Sequence, residues 1–281
     1  MDLLNQPHYF DEIKNDILLM YHKGTNYHNT YHKHNGYEIY LFLRGNINLL
    51  IEHSCFHLEK GNLAIMNPSE YHLAVSLDDS VYERITLNVT PSILRNLSTN
   101  STNLISFFDN RKPGTNNVIS LSEKELDSIL ILFQNLNAAL TSHEFGSDLL
   151  AHSYLAQIFY MVCSSYIASE SIPVNIMPPL ISHTIQFVEE HLSESFTLAD
   201  LGCALNFNSS YLSRLFKKYT GINLKKYILE KKISLAQSLL LEGYSVTDTC
   251  YNAGFKDYAN FIRTFKQYTG KTPGSLKKGK L

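Results

Sequence analysis

The sequence predicts an α+β protein of two domains: an N-terminal β-barrel or jelly roll carrying a helical pair, then an all-α domain with two helix-turn-helix motifs. Between residues 37 and 89, short aliphatic and aromatic runs alternate with Gly, Pro, Asn and Asp turns, the signature of many short strands. Beyond residue 121 the apolar spacing lengthens to three and four, the helical period. Finally, one eleven-residue pattern occurs twice: Tyr-Leu-Ser-Arg-Leu-Phe-Lys-Lys-Tyr-Thr-Gly at 211–221 and Asn-Phe-Ile-Arg-Thr-Phe-Lys-Gln-Tyr-Thr-Gly at 260–270.

Taken in order, residues 1–30 are mixed, with Tyr9, Phe10, Ile13 and 17–19 suited to a first strand or a short helix. Strands follow at 38–43, 47–51, 55–58, 63–66, 71–76 and 82–89, punctuated by Arg44-Gly-Asn, Glu59-Lys-Gly and Asn67-Pro-Ser. Residues 98–120 are polar and broken by Pro113-Gly114, as expected of the edge of the barrel. Two apolar stripes come next: Leu126, Ile129, Leu130, Phe133, Leu136 and Leu140, then Leu149, Leu150, Leu155, Ile158, Phe159 and Val162. Two helices with a short joint form an antiparallel hairpin. One stripe covers the barrel, and the surplus apolar surface suits a second chain. Pro173, Pro178 and Pro179 mark a stiff linker. The expected division is 1–120 for the β domain, 121–168 for the hairpin, 169–179 for the linker and 180–281 for the double helix-turn-helix domain.

In the repeat, Arg214, Phe216, Lys217, Tyr219, Thr220 and Gly221 recur as Arg263, Phe265, Lys266, Tyr268, Thr269 and Gly270, all at an offset of 49 residues. Upstream of each copy an amphipathic segment (198–205, 246–253) meets a break (206–208, 254–257), so each copy reads helix, tight turn, helix. Leu212, Leu215 and Phe216, and in the second copy Phe261, Ile262 and Phe265, should face the core. The opposite faces can enter a major groove. Ser209, Ser210, Ser213 and Arg214 in the first unit, and Asp257, Tyr258, Asn260 and Arg263 in the second, are the candidate base readers. Arg suits guanine O6/N7 and Asn260 suits adenine. Lys217, Lys218, Lys266 and Gln267 lie further along and suit phosphate. Either copy alone would equally suit the solvated face of an ordinary bundle; their repetition on one offset favours double-stranded DNA. A long helix over 224–241, with Ile228, Ile233, Ala236, Leu239 and Leu240 apolar, would fix the two recognition helices at a spacing of about 10 base pairs.

Net charge of −2 conceals a division. Residues 180–281 hold fourteen Lys and Arg against eight Asp and Glu, and residues 1–179 hold ten against eighteen. Only the repeat-bearing half has the basic surplus that phosphate requires. Cys55, Cys163, Cys203 and Cys250 are widely spaced without a Cys-x-x-Cys pair, which predicts a reducing cytoplasm rather than a disulfide framework or zinc ribbon. No signal peptide or eighteen-residue apolar span is expected, and no membrane partner.

The run Leu198-Ala-Asp-Leu-Gly, Ser210 to Ile222, Tyr227-Ile-Leu, Lys232-Ile-Ser-Leu-Ala-Gln-Ser-Leu-Leu, Val246, Ala253-Gly-Phe-Lys-Asp-Tyr-Ala-Asn-Phe-Ile-Arg-Thr-Phe-Lys and Gly270-Lys-Thr-Pro resembles the DNA-binding domain of AraC/XylS-type transcription regulators. The likeness covers roughly the last hundred residues. Two positions depart from it: Lys232, where that family usually has Arg, and Cys250, where it commonly has an apolar residue. Upstream, His32-x-His34-x3-Glu38-x6-Gly45, followed by Gly61, Pro68 and His72, looks like the first cupin motif with a looser second. Residues 32, 34 and 38 share parity, so one continuous strand would present them on one face, and three His with one Glu can hold a divalent metal. Eight of the twelve histidines lie in the first 72 residues, a density that also suits pH sensing. The resemblance instead implies a cupin-like sensor in which His32, His34, Glu38, Tyr40 and His72 line an effector pocket or bond internally. It further implies a cytoplasmic, non-enzymatic regulator, an activator in the usual pattern, that dimerises through the helical pair, binds a small-molecule effector and meets RNA polymerase, with no cofactor and no metal assigned. Its rivals are a metal-dependent cupin enzyme, a metal sensor built on His32, His34, Glu38 and His72, and a regulator without a small ligand.

Overall fold

The computed structural model describes residues 10–11, 16–25, 31–169 and 173–278. Its first part contains β1 (Phe10–Asp11), β2 (Ile17–Gly24), β3 (Lys33–His34), β4 (Tyr37–Arg44), β5 (Ile47–Ile51), β6 (Ser54–His57), β7 (Asn62–Met66), β8 (His72–Ser76) and β9 (Tyr82–Val89). After α1 (Pro91–Leu97) and α2 (Leu104–Asp109), β10 (Val118–Ser120) closes the sheet. Five strands form one sheet in the order β10-β7-β4-β9-β2, and three form a second in the order β6-β5-β8. Of the segment left open between strand and helix, 17–19 begins β2, whereas Tyr9 and Ile13 lie outside the described residues.

The central strand β4 is buried on both faces, which is why it reads as an unbroken apolar run. Tyr40 and Phe42 point between the sheets, where Leu49, Ile51, Phe56, Met66, Ala74 and Tyr82 fill the interior. Ile39 and Leu41 point the other way, into a core shared with the helices. Gly45 turns the chain from β4 to β5 at φ +129°, with Tyr82 Cα 3.2 Å from where a Cβ would stand, so both backbone and space call for glycine.

Residues 91–109 depart from the irregular barrel edge expected for 98–120. Pro91 occupies the first turn of α1, where its missing N–H costs nothing. Asn103 caps α2 by accepting from Ser106 N. Each helix is too short to display a helical period.

The hairpin consists of α3 (Glu123–Thr141) and α4 (Ser147–Ala168). A reciprocal capping box of Ser122 and Glu125 starts α3. Leu126, Ile129, Phe133 and Leu136 of α3 meet Leu155, Ile158, Phe159 and Val162 of α4 over the five-stranded sheet. Leu149 and Leu150, expected on the inner stripe, are exposed instead, because the buried face of α4 runs through Ala151, Leu155, Ile158 and Val162 and both leucines stand about 100° or more away from it around the helix; Ile131, Phe145, Tyr160 and Ile167 are exposed as well. Part of the linker segment lies along the barrel: Ile176 N–H donates to Cys55 O at 2.8 Å and Cys55 N–H donates to Asn175 Oδ1 at 3.0 Å. This segment therefore covers the open edge of β6.

The second domain runs α5 (Pro179–Glu190), α6 (Leu198–Leu205), α7 (Ser209–Thr220), α8 (Leu224–Glu242), α9 (Val246–Asn252), α10 (Tyr258–Thr269) and α11 (Pro273–Lys278). Its first half shares a continuous apolar cluster with the barrel: Tyr31, Leu50, Cys55 and Leu73 pack with Ile181, Ile185, Leu212, Phe216 and Tyr227. Its second half has a separate core of Ile233, Ala236, Leu240, Cys250, Ala253, Phe255, Phe261 and Phe265. Cys250 is thus buried where an apolar residue is usual, and it behaves as a small hydrophobe. The four cysteines are free. Among the described residues no helix is long and apolar enough to cross a membrane.

Candidate nucleic-acid interface and histidine cluster

Each helix-turn-helix is assembled by capping. Thr197 and Asp200 form a capping box at α6, Asn206 ends it in the left-handed conformation, and Asn208 starts α7 by accepting from Ser210 and Tyr211 N–H. The turn is tight: a Cβ on Gly202 would stand 2.7 Å from Phe207 O. In the second unit Ser245 caps α9, and Asp257 caps α10 by accepting from Asn260 N–H at 2.5 Å. Asn208 and Asp257, related by the repeat offset, therefore have the same structural task. Among the candidate base readers, Asp257 is the one whose carboxylate is already committed to the backbone.

Arg214, Lys217 and Lys218 on α7, and Tyr258, Asn260, Arg263, Lys266 and Gln267 on α10, are exposed; Ser210 is exposed as well, while Ser209 and Ser213 are half-buried. The opposite faces carry buried Leu212, Phe216 and Thr220, and Phe261, Thr264 and Phe265; Leu215 and Ile262, expected inside, are only partly covered. Asn260 Oδ1 accepts from Arg263 Nη2 at 3.0 Å, so the two exposed side chains lie side by side on α10. Two exposed rings that sequence inspection missed, Phe207 and Tyr211, stack at 6.1 Å beside the start of α7. The sequence signal for Phe207 was an aromatic residue in a polar turn, and Tyr211 opens the repeated pattern at the start of α7.

The long helix α8 serves both units, and Lys232 fastens them. Its ammonium donates to Glu194 O at 2.8 Å, in the approach to α6, and to Gly254 O at 2.7 Å, in the turn between α9 and α10. Burial lowers the Lys232 pKa, assisted by Lys256. The departure from Arg at this position leaves a single ammonium bridging two carbonyls.

In the barrel, His32, His34 and His72 bring one nitrogen each to within 4.8 Å of the others. His34 Nε2 lies 2.6 Å and His72 Nε2 3.2 Å from Glu38 Oε2. All four side chains are buried, between 3 and 8 % exposed. The parity expectation needs correction in its reason. Along one continuous strand residues 34 and 38 would be about 13 Å apart; the chain instead bends at Asn35-Gly36 between β3 and β4, and the bend brings them into contact. Burial would push the Glu38 carboxyl up, but the adjacent His34 and His72 outweigh it and hold it well below its ordinary value. Burial likewise opposes charge on His72, and Glu38 reverses that, raising its pKa. Tyr40 shares the face but bonds to Tyr82 deeper in the interior, away from the imidazoles.

One supporting residue was not legible in the sequence. Glu70 is fully buried and accepts from Asn67 N–H, Arg111 Nη2, Gly114 N–H and Asn117 Nδ2 at 2.9–3.0 Å. Its own carbonyl accepts from His72 Nδ1 at 3.1 Å. A carbonyl can only accept, so Nδ1 carries a proton toward Glu70 O, while the Glu38 carboxylate beside Nε2 favours a second proton there, in keeping with the raised pKa.

Between the domains, Lys231 of α8 is buried against the barrel. Its ammonium lies 2.7 Å from Glu189 Oε1 and 3.7 Å from Glu52 Oε2, and 4.2 and 5.0 Å from the ring centres of Tyr71 and Tyr31. Burial lowers its pKa, but Tyr227, Glu52 and Glu189 outweigh that and raise it above the ordinary lysine value.

Comparison with known proteins accounts for both halves. Residues 16–159 match the model of the AraC-like ligand binding domain, and residues 201–279 match a helix-turn-helix domain. The lactose operon transcription activator of Staphylococcus xylosus is 24 % identical over 152 residues, covering 54 % of this chain and 54 % of that protein. The arabinose operon regulatory protein of Escherichia coli K12 is 29 % identical over 138 residues, covering 47 % of this chain and 45 % of the relative. This chain spans about half the length of these curated relatives. Among solved structures, the C-terminal domain of the two-component response regulator yesN from Fusobacterium nucleatum is 35 % identical, covering 34 % of this chain and 94 % of its own, at a TM-score of 0.33. With an AraC-like ligand-binding domain matched over half its length and a double helix-turn-helix behind it, the chain belongs to the AraC family of transcription regulators.

Proposed function

We propose that the protein is a sequence-specific regulator that reads two successive major grooves with α7 and α10 and takes its signal through the barrel domain. One observation carries the reading: two recognition helices, equivalent under the 49-residue offset, expose matched polar and cationic faces while Lys232 ties their supports together. Arg214 and Arg263 are assigned to guanine, Asn260 to adenine, and Ser209, Ser210, Ser213 and Tyr258 to the flanking edges. Lys217, Lys218, Lys266 and Gln267 hold phosphate. Asp257 acts by capping α10. The apolar residues exposed on α3 and α4 support a homodimer. A small-molecule effector in the sensor domain, contact with RNA polymerase, a cytoplasmic setting and transcriptional activation complete the proposal, with no catalytic role.

The test is a salt titration of binding by fluorescence anisotropy, with the gene's own upstream DNA and a random duplex of equal length. Tighter binding upstream, with log–log slopes that report several phosphate contacts on both, is the expected result. Equal affinity for the two duplexes at every salt concentration would refute sequence-specific reading.

A further inference from the structure

We propose that Phe207 and Tyr211 form an apolar reading site for the 5-methyl group of thymine, which rests on the DNA-reading role proposed above and makes the first helix-turn-helix select a thymine close to the guanine of Arg214. The repeat supplies the first ground. Tyr211 lies three residues before Arg214, as Asn260 lies three residues before Arg263, and the two pairs are related by the 49-residue offset. Three residues turn an α-helix through about 300°, so Tyr211 stands about 60° around α7 from Arg214 and about 4.5 Å nearer its start. It therefore shares the outward face with Arg214 and Lys218, away from buried Leu212 and Phe216. The first residues of a recognition helix are the ones that meet base edges. At the position where α10 offers an amide, which suits adenine, α7 offers a ring. Apolar side chains read the major groove through the thymine methyl. The Tyr211 hydroxyl, at the far end of its ring, suits a phosphate oxygen.

Phe207 supplies the second ground. Its counterpart in the turn of the second unit is Phe255. Each follows a left-handed residue, Asn206 at φ 57° and Gly254 at φ 71°. Each N–H also donates back to the preceding helix, Phe207 to Gly202 O at 2.9 Å and Phe255 to Cys250 O at 3.0 Å. Phe255 is 7 % exposed and packs on Phe261 at 5.0 Å. Phe207 is 45 % exposed and stacks instead on Tyr211, itself 44 % exposed, with 21° between the rings. The same turn can thus bury its ring, and in the first unit the ring stands outward beside the reading face.

The pair is also held in place. Phe207 O fills the space that a Cβ on Gly202 would need, and Asn208 caps α7 at the next residue. Two aromatic rings on a fixed backbone lose little conformational freedom on binding. Burying one methyl group against them is a factor of about four in affinity.

The experiment uses the full chain and the tightest duplex it selects from a random library, with binding followed by fluorescence anisotropy. Each thymine is replaced in turn by deoxyuridine, which lacks only the methyl. One or two replacements should weaken wild-type binding about fourfold each. They should fall within about two base pairs of the guanine at which Arg214→Ala relaxes choice, because about 4.5 Å along the helix spans one to two base-pair steps of about 3.4 Å. Phe207→Ser and Tyr211→Ser should weaken binding to the thymine duplex and abolish its advantage over the deoxyuridine form. Tyr211→Phe should keep that advantage, and Lys217→Ala should keep it while weakening both forms alike. Circular dichroism confirms that each variant is folded. Deoxyuridine without effect at every position, or an effect that survives both serine variants, overturns the site. Serine variants that weaken the two forms equally would show that the rings touch something other than the methyl, which overturns it as well. A chain that enriches no duplex from the library fails the regulatory reading itself, and the methyl site with it.

Discussion

Replacing Lys231 by Met keeps the aliphatic stem and removes the charge between the two domains. Lys231 and Glu52 are 5 and 7 % exposed, and deleting one partner of a buried pair costs about 3–5 kcal/mol because the other charge is stranded. Two features pull the figure toward the lower end. Glu189 is more open, at 28 % side-chain exposure, and can rehydrate; Glu52 still accepts from Tyr71 N–H and can bind a proton. The expected loss is about 3 kcal/mol, a fall of roughly 6–12 °C in the melting of the barrel with α5 and α8. Adding Glu52→Gln removes the stranded charge and should recover about 2 kcal/mol in a double-mutant cycle. Proton linkage gives a second readout. Burial raises the Glu52 pKa, opposed by Lys231 and the Tyr71 N–H and, more weakly, by His53, with Glu189 reinforcing the rise. Without Lys231 the folded state keeps that proton to still higher pH than the unfolded chain does, so stability falls as pH rises above the ordinary carboxylate range. The variant should therefore lie closer to wild type at about pH 5 than at about pH 8. Denaturation of Lys231→Met within 1 kcal/mol of wild type near pH 7.5, or a double variant as unstable as the single, would refute the account.

Arg214→Ala should cost about 1–3 kcal/mol on the best operator and relax choice at one base pair, whereas Lys217→Ala should weaken all sequences alike; equal losses for Arg214→Ala on specific and random duplexes would remove it from readout. Gly202→Ala places a methyl 2.7 Å from a backbone oxygen and should destabilise the first unit by about 1–3 kcal/mol. Gly274→Ala, with nothing within 4 Å, is the matched control, and similar melting curves for the two would show the turn to be looser than described. Leu149→Asp with Tyr160→Asp, at positions 74 and 75 % exposed, should convert a dimer to a monomer in sedimentation with stability changed by about 0.5 kcal/mol or less; a wild-type chain that sediments as a monomer would sink the dimer proposal.

What was legible in the sequence was periodic. The strands of the barrel, the helical pair and the repeated helix-turn-helix announce themselves because alternation and helical spacing repeat over several residues. Helices α1 and α2 escaped because each offers fewer than two turns, too few for a helical spacing to repeat. Leu149 and Leu150 are apolar but lie off the three-and-four spacing of the buried Ala151, Leu155, Ile158 and Val162, so apolar character alone put them on the wrong face of α4. Non-local chemistry was the least visible part. Four residues of the histidine cluster could be named from the motif they resemble, yet the bend that joins them, the Glu70 network behind them and the Tyr31–Tyr71–Lys231 stack depend on contacts between distant segments, such as the pairing of His32 with His72. Nothing in a single sequence states that register.

The ammonium of Lys232, bonded at once to Glu194 O and Gly254 O, has a consequence for the genome rather than for the protein. Two reading heads fastened by one buried cation cannot swivel independently. Inserting one base between their targets rotates the second about 35° around the duplex and moves it about 3.4 Å along the axis. Functional sites should then share one fixed interval between their two conserved blocks, and natural promoters with a base gained or lost in that interval should be silent even when both blocks are intact.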